Sequence, residues 1–415
     1  MRAVINYIKN NIFALIVCVL WLFPVTYFGY WTAPVGTNVF KMLEFPMIGL
    51  ILIFLLLGGM KAINWKVSLF LVIALLPSFQ SDNVTYSLVK FATLAVIVAV
   101  FSPLIRSKRS RTMREGLWRN LCWSVVVITL LSILWKVTNL PGPVLYIKEG
   151  YPGITSHAML FGPIAGIASV FLLSKALSEN KYWLISLAIL CYMASFTSAS
   201  RAAIAATSIG VFLVLLLAIK KGRTRTLIRI LFPIVLIAVI FMLIFPEEEF
   251  LGLLEADTLV RKGFLNTREG LWDARLMEFK ENPIVGLGVG MSAGSGRFVH
   301  ENEGLLQFAG TIEPGSAYLV VLSMTGILGA VSLIIVIGTE LNSLRKWWKI
   351  IPTTRKYELA GIGSLLFVHA TAEGWIYSPG SVLCLFFWLW LGIVRDSCDI
   401  VRINNNQFHT LKIRL

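Results

Sequence analysis

Long apolar runs separated by short polar stretches make up most of the chain. A helix needs roughly 20 mostly apolar residues to cross the hydrocarbon layer of a bilayer. Helices are favoured over the strands of a barrel because the apolar residues are continuous rather than alternating. The pattern therefore predicts an all-α integral membrane protein of about 12 transmembrane helices, in which residues 1–415 form a single polytopic membrane domain. The predicted spans are 12–30, 42–60, 65–79, 84–104, 117–137, 155–174, 182–197, 200–219, 229–245, 316–338, 358–377 and 380–394.

Composition agrees with this prediction, and the charges give it an orientation. Of 415 residues, 57% are hydrophobic and only 14% are charged, whereas soluble proteins have about 25% charged residues. This excludes a soluble globular enzyme, a disordered chain and a disulfide-rich secreted module. Most of the 37 Lys and Arg residues fall in alternate loops, which predicts that both termini are cytoplasmic. Scattered in this way, they do not form the basic patch of a nucleic-acid-binding domain.

One predicted loop is much longer than the others: the outer loop 246–315, between the ninth and tenth spans. Loops of this length are usually functional or disordered. Within it, residues 267–281 predict an amphipathic helix that stops at Asn282-Pro283. One face of this helix carries Arg268, Trp272, Arg275 and Phe279.

Two interpretations of this face remain open. Guanidinium groups beside aromatic rings suit a polyanion with a sugar attached, because paired guanidinium N–H groups bind phosphate oxygens and aromatic rings stack on sugars. The same helix would equally well lie on anionic lipid head groups. The Gly286-Leu-Gly288-Val-Gly290 stretch that follows invites a nucleotide-binding interpretation, but no strand precedes it and the helix comes before it. We therefore interpret it as a flexible turn.

Charged residues inside or beside spans are costly and tend to mark function. Arg201 opens the eighth span at the outer boundary, where the positive end of a helix dipole favours an anion. Lys90 lies in the fourth span near its outer side, and His157 lies at the outer end of the sixth. For Arg201 and Lys90 the alternative is snorkelling to lipid head groups. In the eleventh span His369 and Glu373 share a helical face, which favours a hydrogen-bonded structural pair.

The predicted outer face thus collects four cations, Lys90, Arg201, Arg268 and Arg275. Several cations at one interface imply a substrate with multiple negative charges, such as a lipid pyrophosphate. An acid nearby would make group transfer possible, and the acid closest to a span is Glu313, just before the tenth span. No Cys or His spacing resembles a metal site, and no cofactor is expected.

Three stretches resemble the bacterial O-antigen ligase and O-antigen polymerase superfamily. Thr197-Ser-Ala-Ser-Arg201 resembles the family's Thr/Ser-rich segment, which ends in a functional arginine. Residues 268–288 resemble its outer-loop helix, with Arg268 at the position of a second functional arginine. Residues 314–329 resemble the segment that enters the next span. The order and spacing of these stretches carry the resemblance, which covers mainly residues 150–390.

The resemblance implies a metal-independent glycosyltransferase of the bacterial cytoplasmic (inner) membrane. Donors in this family are glycans on undecaprenyl pyrophosphate, presented at the outer face of that membrane. The family's arginines hold the pyrophosphate, which implies catalytic roles for Arg201 and Arg268. The residues predicted to bind substrate are Arg201, Arg268, Arg275, Lys90, His157, Trp272 and Ser316.

The chain departs from the family's ligases at one position. Ligases carry a His-Asn pair before the tenth span, whose histidine is the proposed base, and this chain has Gly315-Ser316 there. A Glu-x-Gly-Ser pattern is associated with polymerase-like members. Glu313 therefore becomes the predicted base or acceptor-positioning group.

The leading hypothesis is a polymerase that transfers a glycan from undecaprenyl pyrophosphate to another lipid-linked repeat unit of O-antigen, capsule or exopolysaccharide. The runner-up is a ligase that moves the glycan to a different acceptor, such as lipid A core. The alternative from another class is a multi-span transporter of an anionic solute, but the two halves of the chain lack matched repeats. Besides the bilayer, a lipid-linked glycan flippase and a chain-length regulator are the expected partners.

Overall fold

The computed structural model describes residues 62–138, 150–155, 158–219, 266–291 and 315–412, together with parts of 12–56. These residues are mostly helical, as the apolar runs predict. A 3-10 helix, Leu76–Phe79, extends the first helix, and two short strands, β1 Ala62–Ile63 and β2 Ile105–Arg106, form an antiparallel pair. The helices are α1 Trp65–Leu75, α2 Val84–Phe101, α3 Lys108–Val137, α4 Ala158–Glu179, α5 Trp183–Thr197, α6 Arg201–Ile219, α7 Asn266–Glu281, α8 Ala317–Trp347, α9 Thr353–His369 and α10 Val382–Lys412.

Five helices in the described ranges, α2, α3, α4, α6 and α8, are long and apolar enough to cross a membrane. The segment Trp65–Phe79 and helix α5 are shorter apolar helices. These elements agree with the predicted all-α, multi-pass membrane protein. The number of twelve spans stays a prediction, because 229–245 lies outside the described residues and the first two spans are described only in part.

Polar residues set the starts of the first three helices. Asn83 accepts a hydrogen bond from the backbone N–H of Tyr86 at 3.0 Å and so caps α2. Ser107 and Ser110 form a reciprocal capping box at the start of α3. Asn64 caps α1 by accepting from the backbone N–H of Lys66 at 3.3 Å. Each cap satisfies backbone donors that a helix start leaves without a partner.

Helices α4, α6 and α9 pack closely because glycines lie at their crossings. Gly166 of α4 lies against Thr207 of α6 and Leu365 of α9, and Gly210 of α6 lies against the carbonyl oxygen of Gly361 of α9. Small residues at such crossings let helix backbones approach one another in a membrane protein. Thr207 of α6 lies near Leu365 of α9, and Gly210 lies near Gly361. Residue numbers therefore increase along α6 while they decrease along α9, so these two helices are antiparallel.

This pairing defines one end of the helix bundle. Arg201 lies nine residues before Gly210, and Ala370 lies nine residues after Gly361. Because the two helices are antiparallel, Arg201 and Ala370 both lie about 14 Å from the Gly210–Gly361 crossing, on the same side of it. The Ala370 carbonyl accepts a hydrogen bond from the Ala317 N–H at 2.8 Å, which brings the start of α8 to the same end. We call it the Arg201 end.

Buried ion pairs join the helices at the opposite end of the bundle, which we call the Arg114 end. Arg114 of α3 is 0% exposed, and two of its nitrogens each donate to a carboxylate oxygen of Asp396 of α10 at 2.8 Å. Its third nitrogen donates to two carbonyl oxygens in the turn before α3. The neighbouring Arg395 pairs with Glu340 of α8 at 2.8 Å. Pairing is required here because an uncompensated buried charge is strongly destabilising.

The ends of helices α8, α9 and α10 depart from the predicted spans, and α10 continues to Lys412 where the predicted span stops at 394. Helix α8 extends to Trp347, and it is interrupted at Gly326, whose backbone angles (φ 61°, ψ −168°) are not helical. Helix α9 ends at His369. The predicted common helical face of His369 and Glu373 is therefore wrong, because Glu373 lies beyond the end of the helix. Residues 373–379 are irregular but buried in protein, which is where a membrane protein tolerates irregular backbone.

Candidate functional site

The side chains of five of the eight predicted site residues are described. Arg268 lies in the first turn of α7, but its side chain is outside the described part of the structure. Glu313 and His157 lie outside the described residues, so their roles stay predictions. The five with described side chains are Lys90, Arg201, Trp272, Arg275 and Ser316.

Arg201 is the first residue of α6 and follows a tight turn that joins α5 to α6. The turn is possible because Ala199 adopts a left-handed backbone conformation, with φ 53°. The Ser200 hydroxyl accepts a hydrogen bond from the Ala203 N–H at 3.4 Å and so caps the helix start. The side chain of Arg201 is exposed. An exposed guanidinium at a helix N-terminus, where the dipole is positive, is suited to an anion.

The turn at residues 150–155 packs on this α5–α6 turn. The Tyr151 N–H donates to the Thr197 carbonyl at 2.7 Å, and the Tyr151 hydroxyl donates to the Ser132 carbonyl at 2.7 Å. Burial raises the pKa of Tyr151 to about 12, which keeps the hydroxyl protonated as a donor. Lys136 lies with its Nζ 5.0 Å from the centre of the Tyr151 ring. Sequence reasoning missed this further cation of the Arg201 end, although it lies in the last turn of a predicted span.

Ser316 lies where α8 starts, and α8 is joined to the end of α9 at this point. The Ser316 hydroxyl donates to the Ala370 carbonyl at 3.3 Å, and the Tyr318 hydroxyl donates to the Phe367 carbonyl at 2.8 Å. His369, the last residue of α9, is buried, and its Nδ1 accepts a hydrogen bond from the Trp375 indole at 3.0 Å. Polar groups of α8 and α9 thus meet at the Arg201 end.

Helix α7 confirms that residues 267–281 form a helix, and it starts one residue earlier than predicted. Arg275 does not lie on the outer surface of this helix: it is 2% exposed and pairs with Glu278, which is 3% exposed, at 2.8 Å. A Cβ added at Gly315 would lie 3.5 Å from the Arg275 Cγ. Arg275 is therefore adjacent to the Gly315-Ser316 step. Trp272 is half-buried, one turn earlier.

Lys90 is buried rather than snorkelling to the surface, with 1% of its surface exposed. It lies on α2, and its Nζ is 5.9 Å from the centre of the Tyr86 ring. Gly290 packs directly on the Lys90 side chain: a Cβ at this glycine would lie 2.9 Å from Lys90 Cγ. The segment 282–290, which we call the glycine loop, forms backbone hydrogen bonds to α8 and packs on α2, where the sequence predicts only a flexible turn.

The structure therefore brings Arg275 to Ser316, and it places Arg201 at the same end of the bundle. Lys90 joins this region through the glycine loop, which continues directly from α7. Within the described ranges no group of three or more His, Cys, Asp or Glu side chains is arranged to hold a metal ion. With Lys136 of α3, the arrangement offers cationic groups from four helices, together with hydroxyl and backbone donors.

A comparison with known families matches part of the chain. Residues 184–334 match the family model described as O-antigen ligase, and they include all of α5 but its first residue, α6, α7 and the first part of α8. No curated protein matches the chain at a significant level. The family match confirms the predicted resemblance to the O-antigen ligase and polymerase superfamily over this segment, and it supports a function of that general type.

Proposed function

We propose that this protein is a polymerase of bacterial surface polysaccharide that acts at the outer face of the cytoplasmic membrane. It transfers a glycan from undecaprenyl pyrophosphate to a hydroxyl of another lipid-linked repeat unit of O-antigen, capsule or exopolysaccharide. The family match over 184–334 supports the general type of reaction. The cations at the Arg201 end support a pyrophosphate-linked donor. The Gly315-Ser316 step supports a polymerase over a ligase.

The observation that carries this proposal is the occurrence of cations from separate helices at one end of the bundle. Arg201 starts α6, Arg275 lies beside Gly315, and Lys90 lies beneath the glycine loop. A pyrophosphate carries several negative charges on a short, branched group, so it fits cations that converge from several directions. Arginine is well suited to this because its planar fork binds phosphate oxygens in pairs.

The same cations would accelerate the transfer. When the acceptor hydroxyl attacks the anomeric carbon, the bond from that carbon to the pyrophosphate oxygen breaks and negative charge grows on the leaving group. Guanidinium groups at that position stabilise the transition state more than the bound substrate. Arg201 and Arg268 take this role in the proposal, and Lys90, Arg275, Trp272, His157 and Ser316 bind the donor or the acceptor.

The acceptor hydroxyl must lose a proton, and we assign the base role to Glu313. This residue lies two positions before Gly315, which is adjacent to Arg275. A carboxylate within hydrogen-bonding reach of the hydroxyl can accept its proton. Ligases of the family carry a His-Asn pair at Gly315-Ser316, so the carboxylate replaces the histidine in this proposal. A flippase that supplies the lipid-linked unit and a chain-length regulator are the proposed partners.

A ligase is the second candidate, because the matching family model is described as O-antigen ligase. Both reactions use the same donor and leaving group, so the site described above serves either one. Only the acceptor separates them: a second repeat unit for the polymerase, and a different glycolipid such as lipid A core for the ligase.

The direct test is to incubate purified protein with lipid-linked repeat units and resolve the products by length. We expect a ladder of products with the unmodified protein, and no ladder with Arg201→Ala or Arg268→Ala. Arg109→Ala, which removes an exposed arginine from the Arg114 end, is the matched control and should leave the ladder intact. A single transfer onto added lipid A core without a ladder would favour the ligase. The proposal fails if the unmodified protein forms no product, or if both arginine variants extend chains normally.

A further inference from the structure

Helix α8 is interrupted inside an apolar segment, where lost backbone hydrogen bonds are expensive. At Gly326 the backbone leaves the helical conformation, and the helix resumes immediately afterwards. Such a break leaves carbonyl groups before it and N–H groups after it without helical partners. In a membrane-spanning helix these groups must be satisfied by protein rather than by lipid.

The glycine loop supplies the partners on both sides of the break. Its N–H groups donate to the carbonyls that α8 leaves before Gly326, and its carbonyls accept from the N–H groups that follow. The loop backbone therefore substitutes for the missing helical bonds. The four bonds are Leu287 N–H to Ser323 O at 3.0 Å, Gly288 N–H to Met324 O at 3.0 Å, Ile327 N–H to Pro283 O at 2.9 Å and Leu328 N–H to Ile284 O at 3.3 Å.

Only glycine fits at position 326. Its φ of 61° combined with ψ of −168° belongs to a region that is essentially restricted to glycine. In addition, a Cβ at this position would overlap the carbonyl of Ile284 in the loop. The break and the docked loop thus depend on the same residue.

The far end of the loop bonds again to α8 and packs on α2. The Gly290 N–H donates to the Met324 sulfur at 3.3 Å, while the glycine packs on the side chains of Lys90 and Tyr86 of α2. At its near end the loop continues directly from α7, which carries the Arg275–Glu278 pair. The loop is therefore attached to three elements that each carry a predicted site residue.

We infer that the glycine loop is the positioning element of the site: by completing the hydrogen bonds of the broken α8, it fixes Arg275, Ser316 and Lys90 relative to one another. Gly326 and Gly290 act through these side chains and are positioning residues. This inference rests on the proposed function, in which the three side chains contact the lipid-linked substrates.

The first test detects the contact between the glycine loop and α8 and does not depend on glycan transfer. Cysteines are introduced at Ile284 and Leu328, both of which are exposed, whereas the five native cysteines are buried. We expect an oxidant to form the disulfide readily in this pair, and about tenfold more slowly when Gly326→Ala is added. Gly338→Ala is the matched control, because it lies on the same helix with no atom within 4 Å of an added Cβ, and it should not slow the reaction.

The second test measures the donor KM. A variant that only lowers the fraction of folded protein lowers the apparent kcat and leaves KM unchanged, whereas misplaced donor contacts raise KM. We expect Gly326→Ala to raise the donor KM at least about threefold and Gly338→Ala to leave it unchanged. If Gly326→Ala does not fold, Gly290→Ala replaces it, because an added Cβ there meets the flexible Lys90 stem; a smaller rise in KM is expected.

Each outcome decides the inference. Equal rates of disulfide formation with and without Gly326→Ala, or an unchanged donor KM in the glycine variants, would overturn it. A failure of the unmodified protein to transfer glycan, with the difference in disulfide formation intact, would overturn the proposed function and the positioning role together, while the contact between loop and helix stands.

Discussion

The two ends of the bundle both collect basic side chains, but they use them differently. At the Arg114 end, Arg114 is fully buried and its nitrogens are bound by Asp396 and by backbone carbonyls. At the Arg201 end, Arg201 is exposed at the start of a helix. A guanidinium whose donors are all used by the protein holds helices together. One that faces the outside of the bundle beside a positive helix end is suited to a substrate. Charge alone therefore does not distinguish the two ends, whereas the burial of the guanidinium group does.

Arg275 combines features of both ends. It lies at the Arg201 end beside Gly315, yet it is buried and paired with Glu278, as the arginines of the Arg114 end are paired with acids. A buried pair is costly to desolvate, so it contributes little net stability compared with apolar side chains of the same volume. In the proposed function this pair would supply a fixed cation near Ser316.

The largest effect is expected from breaking the pair at the Arg114 end. Asp396→Ala leaves Arg114 as an uncompensated buried charge, which should lower the free energy of unfolding by about 3–5 kcal/mol. Thermal unfolding in detergent measures this. The double variant Arg114→Met/Asp396→Leu removes both charges and should recover most of the loss. If the double variant is as unstable as the single one, the pair is not what holds α3 and α10 together.

A smaller effect, of a different kind, is expected at Arg201. Because this side chain is exposed, Arg201→Ala should change the free energy of unfolding by no more than about 0.5 kcal/mol. Loss of a cation at the leaving group should nevertheless lower kcat by about 100-fold. Arg201→Lys keeps the charge without the planar fork and should recover only part of the activity. If Arg201→Ala keeps the kcat of the unmodified protein, the distinction between the two ends is removed.

Much of the fold follows from the apolar runs, because a run long enough to cross a bilayer has few alternatives to a helix. Helix α7 was also predictable within one residue, since Asn282-Pro283 ends it. The break in α8 was not. A single glycine in an apolar run is usually tolerated inside a helix, and the break at Gly326 depends on backbone groups supplied by a loop some 40 residues earlier in the chain. Long-range hydrogen bonding of this kind leaves no periodic signal in the sequence.

The end of α9 escaped prediction for a related reason. Trp375, Ile376 and Tyr377 extend the apolar run, so it resembles a longer span, but these residues fill the interior as irregular backbone. The candidate site shows the same limit. Sequence position predicted several cations at one end of the molecule, whereas the inward direction of Arg275 and the burial of Lys90 depend on how α7 and the glycine loop pack.

The smallest effect is expected from an ion pair at the Arg114 end that is not buried. Lys181 lies just beyond α4, is 55% exposed at its side chain and contacts Glu179 at 2.8 Å. Since such a pair is solvated and screened by salt, Lys181→Ala should lower the free energy of unfolding by less than about 1 kcal/mol, and by less still at high ionic strength. Measuring the free energy of unfolding of Lys181→Ala and of Asp396→Ala at low and high salt separates the effect of burying an ion pair from the effect of its charge. A loss as large as that of Asp396→Ala would mean that any charge pair at this end holds the helices, whether buried or not, and the contrast with Arg201 would then rest on position alone.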